Sequence, residues 1–218
     1  MRIFDVSGCR GEIVRPGMNL TVYTAQKGPF AVCNASLYDM RTRIPIGTII
    51  ENGKLVHDDG NGYGFGICGG KPDFGKPWDR AWEDYLTGYN SPVQNGIYVA
   101  PGFTDSYVFK CRLARIAIGR KQGKICIVTD DFVTLQEFAQ NAIANGIDTL
   151  VNLDGGGSRH LFHDGRAYYS SQRVPYNAIA FFKESTSSGA DAPPSHQGES
   201  KMPCEDCTSD GRCGRWRG

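Results

Sequence analysis

The chain has 218 residues, 40% hydrophobic and 22% charged, which suits one globular domain able to build its core without metal or disulfide support. Its 24 basic and 23 acidic residues leave a formal net charge of +1, so no global field draws it onto nucleic acid or an anionic membrane. No apolar run approaches the ~20 residues of a membrane span and the N-terminus lacks a signal peptide's apolar stretch, so neither a nucleic acid polymer nor a membrane is an expected partner, and the expected location is cytoplasmic or virus-released.

Most segments are short, rich in Val, Ile, Tyr and Thr and separated by Gly-containing turns, a pattern of strands. Asn52-Gly53, between P-I-G-T-I-I and K-L-V, predicts a tight hairpin. Around Trp78 to Leu86 a short helix is predicted, with Trp82, Tyr85 and Leu86 as its apolar side. The aromatic-rich stretch from Tyr63 to Tyr89, including Phe65 and Phe74, serves equally well as core or as a sugar-stacking platform. Two apolar runs around K-Q-G-K, from Arg112 to Thr129, predict a second hairpin. One helix is clear from Thr134: Glu137 completes a capping box, Leu135, Phe138, Ala139, Ala142 and Ile143 form a stripe, and Gly146 follows the last turn. Asp164-Gly165 predicts a third hairpin. The expected fold class is α+β, a mixed or largely antiparallel sheet with at least one long helix packed on it, as a single domain plus a C-terminal tail.

Composition changes after Lys183. Residues 1–183 are expected to form the domain, 184–203 a flexible linker without apolar periodicity, and 204–218 a short Cys/Arg-rich tail. In that tail Cys204, Cys207 and Cys213, with His196 upstream, are candidates for a small zinc site or for a disulfide with one thiol left over. Cys9, Cys33, Cys68, Cys111 and Cys126 are scattered, several among apolar residues where a reduced cysteine acts as a small hydrophobe.

The most informative stretch is T-L-V-N-L-D-G-G-G-S, Thr149 to Ser158. It starts as a strand, and alternation places Asn152 and Asp154 on one face. Gly155, Gly156 and Gly157 then let the backbone turn tightly and approach a ligand, offering amides to an anion. In isolation the same residues could be a plain Gly-rich turn braced by Asp154. His57, His160 and His163 are acid–base candidates, but His160 and His163 are three apart on a predicted strand and point to opposite faces, which argues against a metal pair.

N-L-D-G-G-G-S, after a helix led by T-L-x-E-F-A and ending A-N-G-I-D, resembles the core pattern of the phosphodiester glycosidase family. The resemblance continues in R-L-A-R-I-A-I-G, which is similar to the family's R-T-A-I-G and gives its arginine position to Arg115. Asp130 falls where members carry an aspartate after an apolar strand, and R-V-P-Y-N-A-I gives Arg173. Near the start, Asn34-Ala35-Ser36-Leu37-Tyr38-Asp39, then Pro45-Ile46-Gly47 and Asn52-Gly53-Lys54, resembles N-G-G-F-F-D…P-I-G…N-G-K. Two departures stand out: Ala35-Ser36 replaces a glycine pair, and Gln94-Asn95-Gly96-Ile97 stands for Q-x-G-P.

The resemblance implies hydrolysis of a sugar-1-phosphodiester. Arg115 and Arg173 would anchor the diester, because a guanidinium matches phosphate oxygens bidentately. Asp154, then Asp130, is the candidate carboxylate at the anomeric carbon, with Asn34 or Asn152 orienting hydroxyls and Gly155, Gly156, Gly157 and Ser158 lining the substrate. Alternatively Asp154, Asp130 and an Asn oxygen would bind a hard divalent cation such as calcium. Two rival functions stay open: a non-catalytic phosphoglycan-binding module, favoured by the altered N-A-S, and a metal-dependent phosphodiesterase cutting the P–O bond.

Overall fold

The structure, a computed structural model, describes residues 1–39, 41–58, 62–88, 90–100 and 107–184, Tyr107 by its backbone alone. Residues Met1–Glu184 form one unit. Apart from Glu184, the expected linker and tail, with the candidate zinc cysteines, lie outside the described residues, as does Tyr89 at the end of the aromatic stretch.

In chain order the elements begin with β1 (Arg2–Asp5), β2 (Cys9–Val14), α1 (Leu20–Lys27), β3 (Ala31–Asn34), β4 (Ile49–Glu51) and β5 (Lys54–His57). Then come β6 (Gly64–Cys68), β7 (Lys71–Gly75), β8 (Asp84–Leu86), β9 (Asn90–Gln94), β10 (Ile97–Tyr98) and α2 (Tyr107–Lys110). The remainder are β11 (Leu113–Lys121), β12 (Lys124–Val133), α3 (Leu135–Ala144), β13 (Ile147–Asn152), β14 (Leu161–His163), β15 (Arg166–Tyr169) and β16 (Ala178–Lys183), with a single 3-10 turn at Gly156–Ser158.

The strands form three sheets in the orders β1-β12-β11-β13-β9-β10, β15-β14-β3-β16-β2 and β5-β4-β8-β6-β7. Neighbouring strands pair antiparallel throughout the described residues. This overturns the α+β expectation. The longest helix, α3, has only 10 residues, and three packed antiparallel sheets carry the architecture. The capping box at Thr134 is present as expected, yet it opens a helix of under three turns.

The expected helix from Trp78 to Leu86 is also absent. Asp84–Leu86 is instead the central strand of the third sheet, bonded to β4 on one side and β6 on the other. Tyr85 and Leu86 are therefore buried on alternate faces of a strand; spacing that fits one side of a helix was satisfied by the pleat. The three expected hairpins do form, β4–β5, β11–β12 and β14–β15, turning at Asn52-Gly53, Gln122-Gly123 and Asp164-Gly165.

Alternation sorts the strands' side chains into three apolar clusters. A central core joins all three sheets, with Ile116, Ile127 and Val151 from the first, Cys33, Ile179 and Phe181 from the second, and Ile49, Phe65 and Leu86 from the third. On the outer face of the first sheet, Ala117, Val128 and Leu150 pack under Leu135, Phe138, Ala139 and Ala142 of α3. Burying side chains such as Leu135 and Phe138 stabilises the fold by about 1.5–3 kcal/mol each. On the outer face of the second sheet, α1 lays Leu20 and Tyr23 over Val32, Ala178 and Ala180.

Candidate active site

Strand β13 runs between β11 and β9 and ends at Asn152, so the D-G-G-G segment leaves the middle of the first sheet towards β3 of the second. The Asp154 N–H donates to Ala35 O at 2.8 Å, and the Asn34 side-chain amide donates to Asp154 O at 2.5 Å. Gly155 sits against β11, where a Cβ would lie 2.4 Å from Ala114 O, and Gly156 has φ +56. A side chain is thus excluded sterically at one glycine and strained at the next. The turn uses two of its amides inwardly, Ser158 N–H to Gly155 O and Arg159 N–H to Gly156 O.

This geometry points Asp154 and Ser158 into a pocket completed by Leu20, Asn34, Tyr38, His160, Arg173 and Pro175. The space between them is about 10 Å³, room for roughly one water, so the surrounding side chains must part when a sugar enters. A larger groove, about 510 Å³, lies between β2 and the β4–β5 hairpin, but Glu12, Arg15, Glu51 and Asp84 line it, and of the motif residues only Asn52 at the hairpin turn reaches it.

Within the pocket the groups differ in electrostatic character. Burial pushes the Asp154 carboxyl up to about 6, against the lowering effects of the Ser158 hydroxyl and the Arg173 charge. Arg173 is exposed, and its Nη1 donates to Ser158 Oγ at 2.9 Å. Among the described residues its guanidinium makes no ion pair, leaving most of its fork available to an anion. Asn34 is buried and committed at both ends of its amide: besides holding Asp154 O, its Oδ1 accepts the His160 N–H at 2.7 Å. It braces the turn from β3.

Arg115 and Asp130 are not brought into this pocket. They are cross-strand partners on β11 and β12 and share the face that packs on α3. Arg115, 2% exposed, donates from Nε to Val133 O at 3.2 Å and from Nη2 to Val108 O and Cys111 O at 2.7 and 2.9 Å; burial lowers its pKa. Asp130 accepts from Asn141 Nδ2 of α3 at 2.9 Å and stands 3.0 Å from the Met1 amino nitrogen. Burial raises its pKa, but hydrogen bonds from Asn141, the amino group and the Asp131 N–H outweigh that and lower it overall.

Asn152 also departs from expectation. It faces α3 opposite Ala117, and because the strand ends there, alternation does not carry Asp154 onto the same side. Its buried Oδ1 has no hydrogen-bond partner among the described residues. Since Asp130 and Asn152 are turned away from Asp154, the ligand set proposed for calcium does not assemble, and among the described residues no group of three or more His, Cys, Asp or Glu is placed to hold a metal ion.

Of the aromatic stretch, Phe65, Phe74, Trp82 and Tyr85 are buried in the fold, and exposed Trp78 does not line the pocket. His163 packs between Phe4 and Phe30. His160, an acid–base candidate in the sequence, lines the pocket; its position two residues after Ser158 was the available signal for that placement. Pro175 lies within the R-V-P-Y-N-A-I motif but was not singled out there, and Leu20 had no signal.

A sequence profile of the phosphodiester glycosidase family matches residues 27–182, spanning β3 to β16 and every pocket residue except Leu20. The chain belongs to the phosphodiester glycosidase family. Its fold is similar to that of the zebrafish N-acetylglucosamine-1-phosphodiester alpha-N-acetylglucosaminidase catalytic domain auto-inhibited by pro-peptide, with a TM-score of 0.66 at 18% identity over 80% of this chain and 73% of that one. It is also similar to a hypothetical protein from Synechocystis, TM-score 0.64 at 14% identity, covering 81% of this chain and 56% of that one. No match to a curated protein sequence was found.

Proposed function

We propose that the protein hydrolyses the glycosidic bond of a sugar-1-phosphodiester, releasing the sugar from the phosphate. The observation that carries the reading is the meeting of Asp154, Ser158 and Arg173 in one pocket at the D-G-G-G turn of a phosphodiester glycosidase family member. The zebrafish relative's name specifies an N-acetylglucosamine-1-phosphodiester, and that substrate class is the one proposed here.

Each group has a role suited to its surroundings. The exposed Arg173 fork takes the non-bridging phosphate oxygens, steadied from behind by Ser158. Asp154 serves the anomeric carbon, as nucleophile or as base for a water. In the net reaction a water oxygen bonds the anomeric carbon, the bond from that carbon to the phosphate oxygen breaks, and the phosphate monoester leaves. Because a phosphate monoester departs readily, stabilising positive charge at carbon matters more than protonating the leaving oxygen, and a carboxylate in a confined, poorly solvated pocket does so strongly. Asn34 holds the turn that aims Asp154, while Arg115 and Asp130 fix the wall behind it.

Hydrolysis in oxygen-18 water tests the reading. Label in the released sugar is the expected outcome. Label in the phosphate would assign P–O cleavage instead, and binding without turnover would make the chain a phosphoglycan-binding module.

A further inference from the structure

We infer that His160 is a sugar-recognition residue, a neutral hydrogen-bond donor that reads an uncharged oxygen of the ligand while Arg173 takes the phosphate. The inference rests on the function proposed above and adds a determinant of which sugar is accepted.

The geometry fixes what the ring can do. His160 is 3% exposed and lines the pocket beside Asp154 and Ser158. Its own N–H is tied to Asn34 Oδ1 at 2.7 Å, so the residue is anchored to the same amide that braces Asp154. On the ring, Nδ1 faces the Ser171 N–H at 3.4 Å. A backbone N–H can only donate, so Nδ1 must accept, and the ring proton belongs on Nε2. Nε2 has no hydrogen-bond partner among the described residues.

Chemistry then separates this donor from its neighbours. Burial pushes the imidazole down to about 4, so near neutrality the ring is uncharged. A neutral imidazole N–H is too weak an acid to protonate a leaving group, which leaves donation as its contribution. The charge-assisted donor in the pocket is Arg173, and phosphate oxygens are bound more strongly there. A neutral donor held in a confined site suits a hydroxyl or an amide carbonyl of the sugar, and a donor that gives up water to a ligand without gaining an acceptor penalises ligands that lack one. Ser171 reinforces the arrangement, since its Oγ donates to Gly157 O at 2.9 Å and so couples the strut under His160 to the glycine turn.

Two substitutions divide the ring's functions. His160→Asn can keep an acceptor near the Nδ1 position for Ser171 but loses the Nε2 donor; His160→Gln can place an amide N–H near Nε2 but loses the strut. The test uses the full chain and calorimetric binding of methyl phosphodiesters of glucose-1-phosphate, N-acetylglucosamine-1-phosphate and mannose-1-phosphate, with KM and kcat for whichever is turned over. The best ligand of wild type should bind His160→Asn about tenfold or more weakly, with KM raised and kcat little changed, and His160→Gln should recover most of that loss. Equal binding by His160→Asn and wild type would overturn the inference, as would equal losses in both variants. If either variant is unfolded by circular dichroism, deoxy forms of the best ligand are measured against wild type: one should lose about tenfold, and equal binding of all of them overturns the assignment. Failure of wild type to bind any of the diesters would instead overturn the glycosidase reading on which the inference depends.

Discussion

Two arginine–aspartate sets come from the same motif-bearing half of the chain, and they do different work. Asp154 and Arg173 face a pocket, one half-buried and the other exposed, with Ser158 between them. Arg115 and Asp130 lie on the far side of the first sheet, where three carbonyls take up the guanidinium and Asn141 of α3 holds the carboxylate. The lesson is that a charged residue in a family pattern can be needed for the wall of a site as well as for its floor. What distinguishes the two is whether protein groups already satisfy the charge.

The largest effect that sharpens this contrast is expected at Asp154. Asp154→Asn keeps the side chain's size and removes its charge, so turnover should fall about a thousandfold, ~4 kcal/mol of barrier. Because burial holds the Asp154 pKa above its unfolded value, the folded state binds more protons than the unfolded one between the two pKa values, and folding stability falls as pH rises through that window. Removing the charge should therefore leave the melting temperature at neutral pH no lower than that of wild type. Loss of activity together with a collapsed melting temperature would break the assignment.

Next comes Arg173→Lys. An ammonium cannot reproduce a two-point contact with phosphate, so kcat/KM should drop by about tenfold to a hundredfold with the melting temperature unchanged. The smallest catalytic effect is expected at Arg115→Lys. That change orphans at least one of the carbonyls at Val108, Cys111 and Val133, costing about 1–3 kcal/mol of stability, while the folded fraction should keep kcat/KM within about threefold of wild type. Exchange of these two signatures between Arg173 and Arg115 would invert the comparison.

How far the sequence revealed this arrangement follows the range of the forces involved. Hairpins at Asn52-Gly53, Gln122-Gly123 and Asp164-Gly165 and the α3 cap were legible because a few neighbouring residues determine them. Asp154 beside the glycine turn was legible for the same reason. The segment from Trp78 to Leu86 was misread because pairing with β4 and β6, distant in sequence, overrides its local helical spacing. Arg115 and Asp130 were assigned to the pocket because their place in the pattern says nothing about which face of a β-hairpin they occupy. That face is set by register with β13 and by the packing of α3. His160 was legible only as an acid–base candidate, because its place in the pocket depends on Asn34 and Ser171, contributed by other parts of the chain.

The central claim is that an ionised Asp154, its carboxyl raised by burial, drives release of the sugar. The direct measurement is wild-type kcat/KM for sugar release across the pH range spanning the Asp154 value of about 6. A carboxylate acting as nucleophile or base is active when deprotonated, so the rate should hold steady above that value and fall about tenfold per pH unit below it. A profile that stays level through that value, or that rises on acidification, would contradict the account.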